Sequence, residues 1–467
     1  MRIVMKFGGS SLAEPDRMSR AADLVKATSD RNEVVVVCSG ADDVTDRLVA
    51  LVDMAKRGRS EYVEKTLGEL ESLHRRLLEA LEDVRVRDEV GSMVDQLLRE
   101  LRRAVSGILY LREATPRSID YILSFGERLS TRIFAGLLLS RGLKAQYLDG
   151  GEAGIVTDSS FGDATPLLEV TRLNVRRRLT RLLDEGYTPV VTGFIATNEE
   201  GVITTLGRGG SDYTATLLAY CIGADEVQLW TDVDGLMSGN PAIVHDSRVL
   251  ESVSYNEAIE MALFGAKGLH PRALEPAMMA RIPVRIRNTF NPEAKGTTVT
   301  EKASAADTGP VKAVLLVNNV GMLTVRGPSM VGRPGTTVKI LETLSRAGVN
   351  VMMISQSVSE SSISLIVRRE SMDRAVSAIE KALLGTGIVA SVESEDDVAV
   401  IAVVGEGMKG TPGIASRVFG AVASRAVNVR MIAQGSSELN ISFVVKEDQA
   451  VEAVRAIHAE YRLGGRR

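Results

Sequence analysis

The 467-residue sequence predicts an α/β protein in which a parallel-rich sheet sandwiched by helices fills residues 1–300 and two small α+β domains of ferredoxin-like pattern follow. Two observations predict it. Through the first part, short β-branched runs alternate with helical patterns, the rhythm of strands joined by crossover helices. Beyond it, Gly327, Met330, Pro334, Gly335, Asn350, Ile354, Gln356 and Glu360 recur as Gly405, Met408, Pro412, Gly413, Asn428, Ile432, Gln434 and Glu438, all at an offset of 78 residues. Two copies are too few for a solenoid and imply paired domains.

Taken in order, RIVMKFGG reads as a strand, Pro15 to Ser29 as a helix and EVVVVCSG as a second strand. From about 56 to 112 the pattern becomes purely helical. Val63, Leu67, Leu70, Leu73, Leu77 and Leu81, then Val90, Val94, Leu97, Leu101 and Val105, recur at three- and four-residue steps and predict a helical hairpin. Further strands are expected at YTPVVTGFI, EVQLWTDV and PVRIRNTF, each bounded by turn residues. EKASAADTGP, residues 301–310, is small and polar and reads as a linker. Each repeat then reads strand, Gly/Pro loop, helix, strand, strand, helix. The first copy closes with GIVASVESE, whereas the second runs into YRLGGRR without a closing strand, and VKAVLLVNN upstream is a spare strand. The expected division is therefore 320–394 for the first small domain and 311–319 plus 395–467 for the second.

A net charge of −4 gives no field for nucleic acid, and no apolar run or leader suggests a membrane or export. Aromatic residues are only 4%, so the cores must rest on aliphatic side chains. Two cysteines, Cys38 and Cys221, fit a reducing compartment, and the cytoplasm is the expectation. The four histidines have no ligand spacing, so no protein-held metal is expected.

Five motifs can carry chemistry. In KFGGSS, Gly8 and Gly9 offer backbone amides to an anion and Lys6 adds charge, although Gly-Gly after a strand is ordinarily only a turn. In TLGRGGSDYTAT, Arg208 suits a carboxylate and Asp212 an ammonium, or they are a surface arginine and a helix cap. QLWTDVDG sets Thr231, Asp232 and Asp234 at a strand's C-terminal end, where open α/β sheets bind ligands, or in a simple turn. FGAKGLHP presents Lys267, which for an isolated lysine is ordinarily a solvated charge; SFGERLS presents Glu127 on a first helical turn, where it also complements the dipole.

Together with VVTGFIAT and the twin NVxMI(S/A)Q segments, these motifs resemble aspartokinase of the amino-acid kinase family, with C-terminal tandem ACT domains, over essentially the whole chain. The resemblance implies that Lys6, Gly8, Gly9 and Ser10 bind the ATP phosphates, that Thr231, Asp232 and Asp234 lie at the nucleotide, and that Lys267 holds phosphate oxygens. It implies an L-aspartate site of Ser39, Thr45, Glu127, Arg208 and Asp212, with Lys6, Lys267, Arg208 and Asp212 serving catalysis. Mg²⁺ would be carried mainly by the nucleotide. Met330, Gly335, Asn350 and Ile354 match the effector site for an amino acid, lysine or threonine, and a homodimer or tetramer through the ACT domains is implied. Met237, Asn240 and Ala242 depart from the family's usual Tyr, Asp and Arg near the nucleotide, and Gly40, Asp42, Asp43 and Asp46 add negative charge beside the aspartate site. Those departures leave two alternatives: a nucleotide-impaired paralogue that binds amino acids as a regulatory partner, and a kinase of another small carboxylic acid.

Overall fold

The structure, a computed structural model, describes residues 1–304 and 309–464; residues 305–308 of the expected linker and 465–467 of the expected last domain lie outside the described residues. Two compact units result.

The first unit is built on strands β1 (Arg2–Phe7), β2 (Glu33–Cys38), β3 (Ala145–Leu148), β4 (Val156–Thr157), β5 (Thr188–Thr192), β6 (Ile195–Asn198), β7 (Ile203–Thr205), β8 (Glu226–Thr231), β9 (Ser252–Ser254), β10 (Val284–Asn288) and β11 (Thr297–Thr300). Eight of them form one sheet in the order β3-β5-β2-β1-β8-β10-β11-β9, and β4-β6-β7 form a small second sheet. In the large sheet only the β10–β11 pair is antiparallel. β2, EVVVVC, is buried at every position but its first, as a strand covered on both faces must be. The helices Pro15–Ser29, Phe125–Ser140 and Gly210–Ile222 pack on this sheet. Phe7 lies between Phe134 and Trp230, with ring centroids 5.6 and 6.1 Å away. Register matters most for function: Phe7 pairs with Cys38 on one side and Trp230 on the other, so β1, β2 and β8 end together.

The helical hairpin is Ser60–Leu77 and Val84–Leu111, with the predicted Val and Leu positions buried. Asp83 starts its second helix by accepting the Arg85 and Val86 N–H groups. No helix among the described residues is long and apolar enough to cross a membrane.

The second unit contains β12 (Ala313–Arg326), β13 (Val351–Gln356), β14 (Ser362–Arg368), β15 (Ser391–Val404), β16 (Met431–Ala433) and β17 (Asn440–Lys446), in the order β13-β14-β12-β15-β17-β16. β12 and β15 are each shared by the two copies. The start of β12, Ala313 to Val317, pairs with Val404 to Val400, whereas its end, Met322 to Arg326, pairs with Glu395 to Ser391. The expected boundaries at 319/320 and 394/395 thus fall inside continuous strands, and a register irregularity between Val317 and Met322 marks the change of partner. The copies match in detail: Gly335 and Gly413 both take left-handed backbone, at φ 86° and 85°, where a side chain would be strained. The Gly332 N–H donates to Glu360 Oε2 at 2.8 Å and the Gly410 N–H to Glu438 Oε2 at 2.7 Å.

Two segments inside residues 1–300, Met237–Leu250 and Glu260–Ala266, group with this second unit. The reason is apolar burial. Ile243 and Val244 pack with Phe443, Val454 and Ile457, and Phe264 packs with Met353 and Met431.

Candidate active site

The loops after β1, β2 and β8 are tied together by backbone hydrogen bonds. The Gly8 N–H donates to Trp230 O at 3.1 Å, Ser39 N–H to Phe7 O at 3.1 Å and Asp42 N–H to Gly9 O at 3.0 Å. Gly9 is required by close approach, because a Cβ there would lie 2.6 Å from Asp42 O and 2.8 Å from Gly40 O. Ser10 continues this loop in a short 3-10 turn, and Ser11 Oγ is 2.7 Å from Thr289 Oγ1 beyond β10.

Lys6 and Asp212, assigned from sequence to different ligands, meet directly, with Nζ 2.6 Å from Oδ1. Both side chains are mostly buried, so each is the other's counterion inside the site. Glu127 is 2% exposed. Its Oε1 accepts the Gly40 N–H at 3.0 Å, while Oε2 is buried with no partner among the described residues. Burial pushes this carboxyl up to about 7, against the Gly40 N–H, its own N–H and the Lys6 charge, which pull it down. A Cβ built on Gly40 would lie 3.2 Å from Thr45 Oγ1 and 3.5 Å from Glu127 Oε1, so Thr45, Gly40 and Glu127 share one wall. The Ser39 carbonyl accepts Ser130 Oγ–H at 2.6 Å. The extra acidity of Asp42 and Asp43 is partly offset by Arg47, whose Nε is 2.6 Å from Asp43 Oδ1 and Nη2 4.0 Å from Asp42 Oδ2.

Beyond β8, Thr231 Oγ1 donates to Asp232 Oδ1 at 3.1 Å, and Asp234 Oδ1 accepts from Asn288 and Asn291 at 2.7 and 3.2 Å. Lys267 is exposed and has no partner among the described residues; the Cβ position of the adjacent Gly268 is 3.1 Å from Val233 and 3.6 Å from Thr231, which sets Lys267 beside the end of β8. Arg208 is likewise exposed and unpaired among the described residues, on the turn that precedes the helix bearing Asp212. The structure therefore brings Lys6, Gly8, Gly9, Ser39, Thr45, Glu127 and Asp212 into one region, with Arg208 and Lys267 on exposed turns next to it.

Three contributors were not read from sequence. Asp120, fully buried, accepts the Gly162 N–H, the Thr205 N–H and the Thr205 hydroxyl at 2.9 to 3.0 Å, and so ties the strand leading to Arg208 onto the helix Pro116–Leu123. His270 packs its ring against the Arg208 turn, since a Cβ on Gly209 would fall 2.2 Å from its Cγ. Burial lowers its pKa, and Asp212 opposes that. Phe194 has φ 64°, a strained conformation of the kind that clusters at functional sites, and lies two residues past the end of β5. Phe194 and His270 lie inside VVTGFIAT and FGAKGLHP without being singled out there, and the lone Asp in SIDYILS is no pattern.

In the second unit, Met330 and Gly335 line a cavity of about 320 Å³ together with Arg333, Gln356 and Glu360. Asn350 and Ile354 are exposed at and beside β13, outside that lining.

The amino acid kinase family model matches residues 1–288, and the ACT domain model matches residues 323–383 and 401–461. Aspartokinase 1, chloroplastic, of Arabidopsis thaliana is 34% identical over 98% of this chain and 80% of its own length. The bifunctional aspartokinase/homoserine dehydrogenase of Haemophilus influenzae is 34% identical over 97% of this chain and 56% of its own. Among solved structures, E. coli aspartokinase III in complex with aspartate and ADP is similar with a TM-score of 0.84 at 30% identity, covering 98% of this chain and 99% of that one. The same enzyme in complex with lysine and aspartate gives 0.80 at 31% identity, covering 98% of each.

Proposed function

The chain belongs to the amino acid kinase family and is an aspartokinase with two ACT domains, and from that premise we propose that it transfers the γ-phosphoryl group of ATP to the β-carboxylate of L-aspartate under feedback from an end-product amino acid. The observation that supports this most is the shared strand end where a glycine-clamped loop, the Lys6–Asp212 pair and the half-satisfied Glu127 carboxyl converge.

On this reading Lys6, Gly8, Gly9 and Ser10 receive the phosphates, Thr231, Asp232 and Asp234 lie along the nucleotide, and Lys267 closes on phosphate oxygens. Ser39, Thr45, Glu127, Arg208 and Asp212 hold aspartate, with Arg208 on a carboxylate and the acidic pair on the ammonium. A β-carboxylate is ionised at neutral pH, so the nucleophile needs no general base. The chain's task is to align it and neutralise charge on the transferring group. Mg²⁺ would be held mainly by the ATP phosphates, with the exposed Asp232 the donor type it prefers, and would supply charge neutralisation there. Glu127 reinforces substrate choice: an arriving ammonium supplies the charge that its buried oxygen lacks.

We further propose lysine or threonine as the effector, in the cavity lined by Met330, Gly335 and Gln356, and a homodimer or tetramer through the first ACT domain, whose Val331, Val338 and Ile354 are exposed apolar side chains.

The test is a hydroxamate trap of acyl phosphate with purified protein, MgATP and L-aspartate, with a D-aspartate blank and Lys267→Ala and Arg208→Ala controls. Signal that needs L-aspartate and is lost in both variants supports the reading. Protein that binds L-aspartate yet gives no acyl phosphate overturns it in favour of the regulatory paralogue.

A further inference from the structure

The segment Met237–Leu250 leaves the strand end assigned above to the nucleotide, three residues beyond Asp234, and carries the departures Met237, Asn240 and Ala242. It is built into the C-terminal unit. Its anchor is the helix Glu447–Glu460. His458 on that helix is 2% exposed, and its Nε2 is 3.0 Å from Ser238 Oγ. Ser238 Oγ also accepts the Arg248 N–H at 3.1 Å, which directs the hydroxyl proton toward His458 Nε2. The other ring nitrogen, Nδ1, faces Asp246 Oδ1 at 3.8 Å, which favours the tautomer with its proton there. Serine, histidine and aspartate in this order have the look of a nucleophilic triad, but Ser238 is fully buried and no substrate can reach it. The arrangement is mechanical.

Backbone bonds extend it. Ser238 N–H donates to Arg248 O and Val314 N–H to Ser238 O, both at 2.9 Å, so the segment adds to the edge of β12. Arg455, one turn before His458, donates from Nε to Ile243 O at 2.9 Å. Asn240 Oδ1 accepts the Ala242 N–H at 3.0 Å and turns the chain so that Ile243 and Val244 enter the core.

We propose that His458 is a positioning residue for nucleotide use: through Ser238 it fixes the segment 237–250, and with it the backbone that leaves Asp234, and so supports the affinity for MgATP. This rests on the reading that Thr231, Asp232 and Asp234 meet the nucleotide. It also gives the departures at Met237, Asn240 and Ala242 a meaning, since affinity that those side chains do not supply depends more on how the backbone is held.

The experiment compares the full chain with His458→Ala, Ser238→Ala and His458→Gln, whose amide can replace Nε2 at Ser238. KM for MgATP and for L-aspartate, MgATP affinity by calorimetry and Tm are measured on each. Losing one buried hydrogen bond should raise the MgATP KM and Kd about five- to tenfold in the two alanine variants, with the L-aspartate KM within about twofold of wild type and His458→Gln near wild type. A merely structural histidine would lower Tm and the active fraction and leave both KM values alone. Unchanged MgATP affinity in folded variants, or equal rises in both KM values, overturns the proposal. Should His458→Ala not fold, Ser238→Ala and His458→Gln decide by the same criteria. Wild-type protein that binds MgATP but makes no acyl phosphate would refute the aspartate reading alone, and the calorimetric comparison would still decide the role of His458.

Discussion

Replacing Glu127 by Gln should make the protein more stable and less useful. The carboxyl is buried, one oxygen accepts the Gly40 N–H and the other has no partner among the described residues, and its pKa is pushed from 4.5 to about 7. The sign follows from linkage. Between those two values the unfolded chain has released the proton while the folded chain retains it, so stability is fully present below about 4.5 and falls as pH rises toward 7. By pH 8 the burial of this charge costs about 3 kcal/mol, and glutamine, nearly isosteric with the neutral acid and able to keep the Gly40 hydrogen bond, removes that cost. Thermal melts of wild type and Glu127→Gln at pH 5 and pH 8 check it: similar Tm values at the lower pH, and a variant Tm several degrees higher at the upper. A Tm difference that is the same at both pH values would refute the reasoning.

Other outcomes follow from the same site. The L-aspartate KM should fall as pH rises from 6 to 7, by roughly fivefold in the limit where ammonium binding needs the ionised Glu127, and Glu127→Gln should flatten that profile; steady-state kinetics across pH reads it. Lys6→Met leaves Asp212 with an unpaired, mostly buried charge and should lower kcat/KM by at least about 100-fold, measured by acyl-phosphate trapping. Gly9→Ala forces a Cβ against the Asp42 and Gly40 carbonyls and should cost about 1–3 kcal/mol while raising the MgATP KM more than the L-aspartate KM, seen by urea titration and kinetics. Asp120→Ala leaves the Thr205 and Gly162 N–H groups without their acceptor and should destabilise the first unit by about 2–3 kcal/mol, read from the same titration.

Where the sequence spoke clearly, one physical cause acted alone. EVVVVC could only be a doubly covered strand, the Leu and Val spacing from Val63 to Val105 could only be paired helices, and the recurrence of Gly335 as Gly413 reflects one turn built twice. KFGGSS and QLWTDVDG were legible as strand ends, because each follows an apolar, β-branched run. What stayed hidden depends on distant partners. Lys6 and Asp212 lie far apart in sequence, and nothing local to either says that they meet. The allegiance of Met237–Leu250 rests on Ile243 and Val244, a pair too short to have a period, and on a histidine near the other end of the chain. Boundaries drawn at 319/320 and 394/395 fall inside strands, because a strand shared by two domains contains no turn residue where one domain stops and the next begins.

The shared strands also dictate an order of assembly. Ala313 leaves the ribosome early but pairs with Val404, and β15 in turn pairs with β17, so the second ACT domain cannot form its sheet until Lys446 has been made. The first ACT domain lies wholly between those points and can fold while synthesis continues, closing a loop that carries β15 back to the waiting start of β12. Removal of the first domain, with a short turn joining Val317 to Val398, should therefore leave a foldable remainder. A chain cut after Arg368 should keep neither sensor, because both domains share β15.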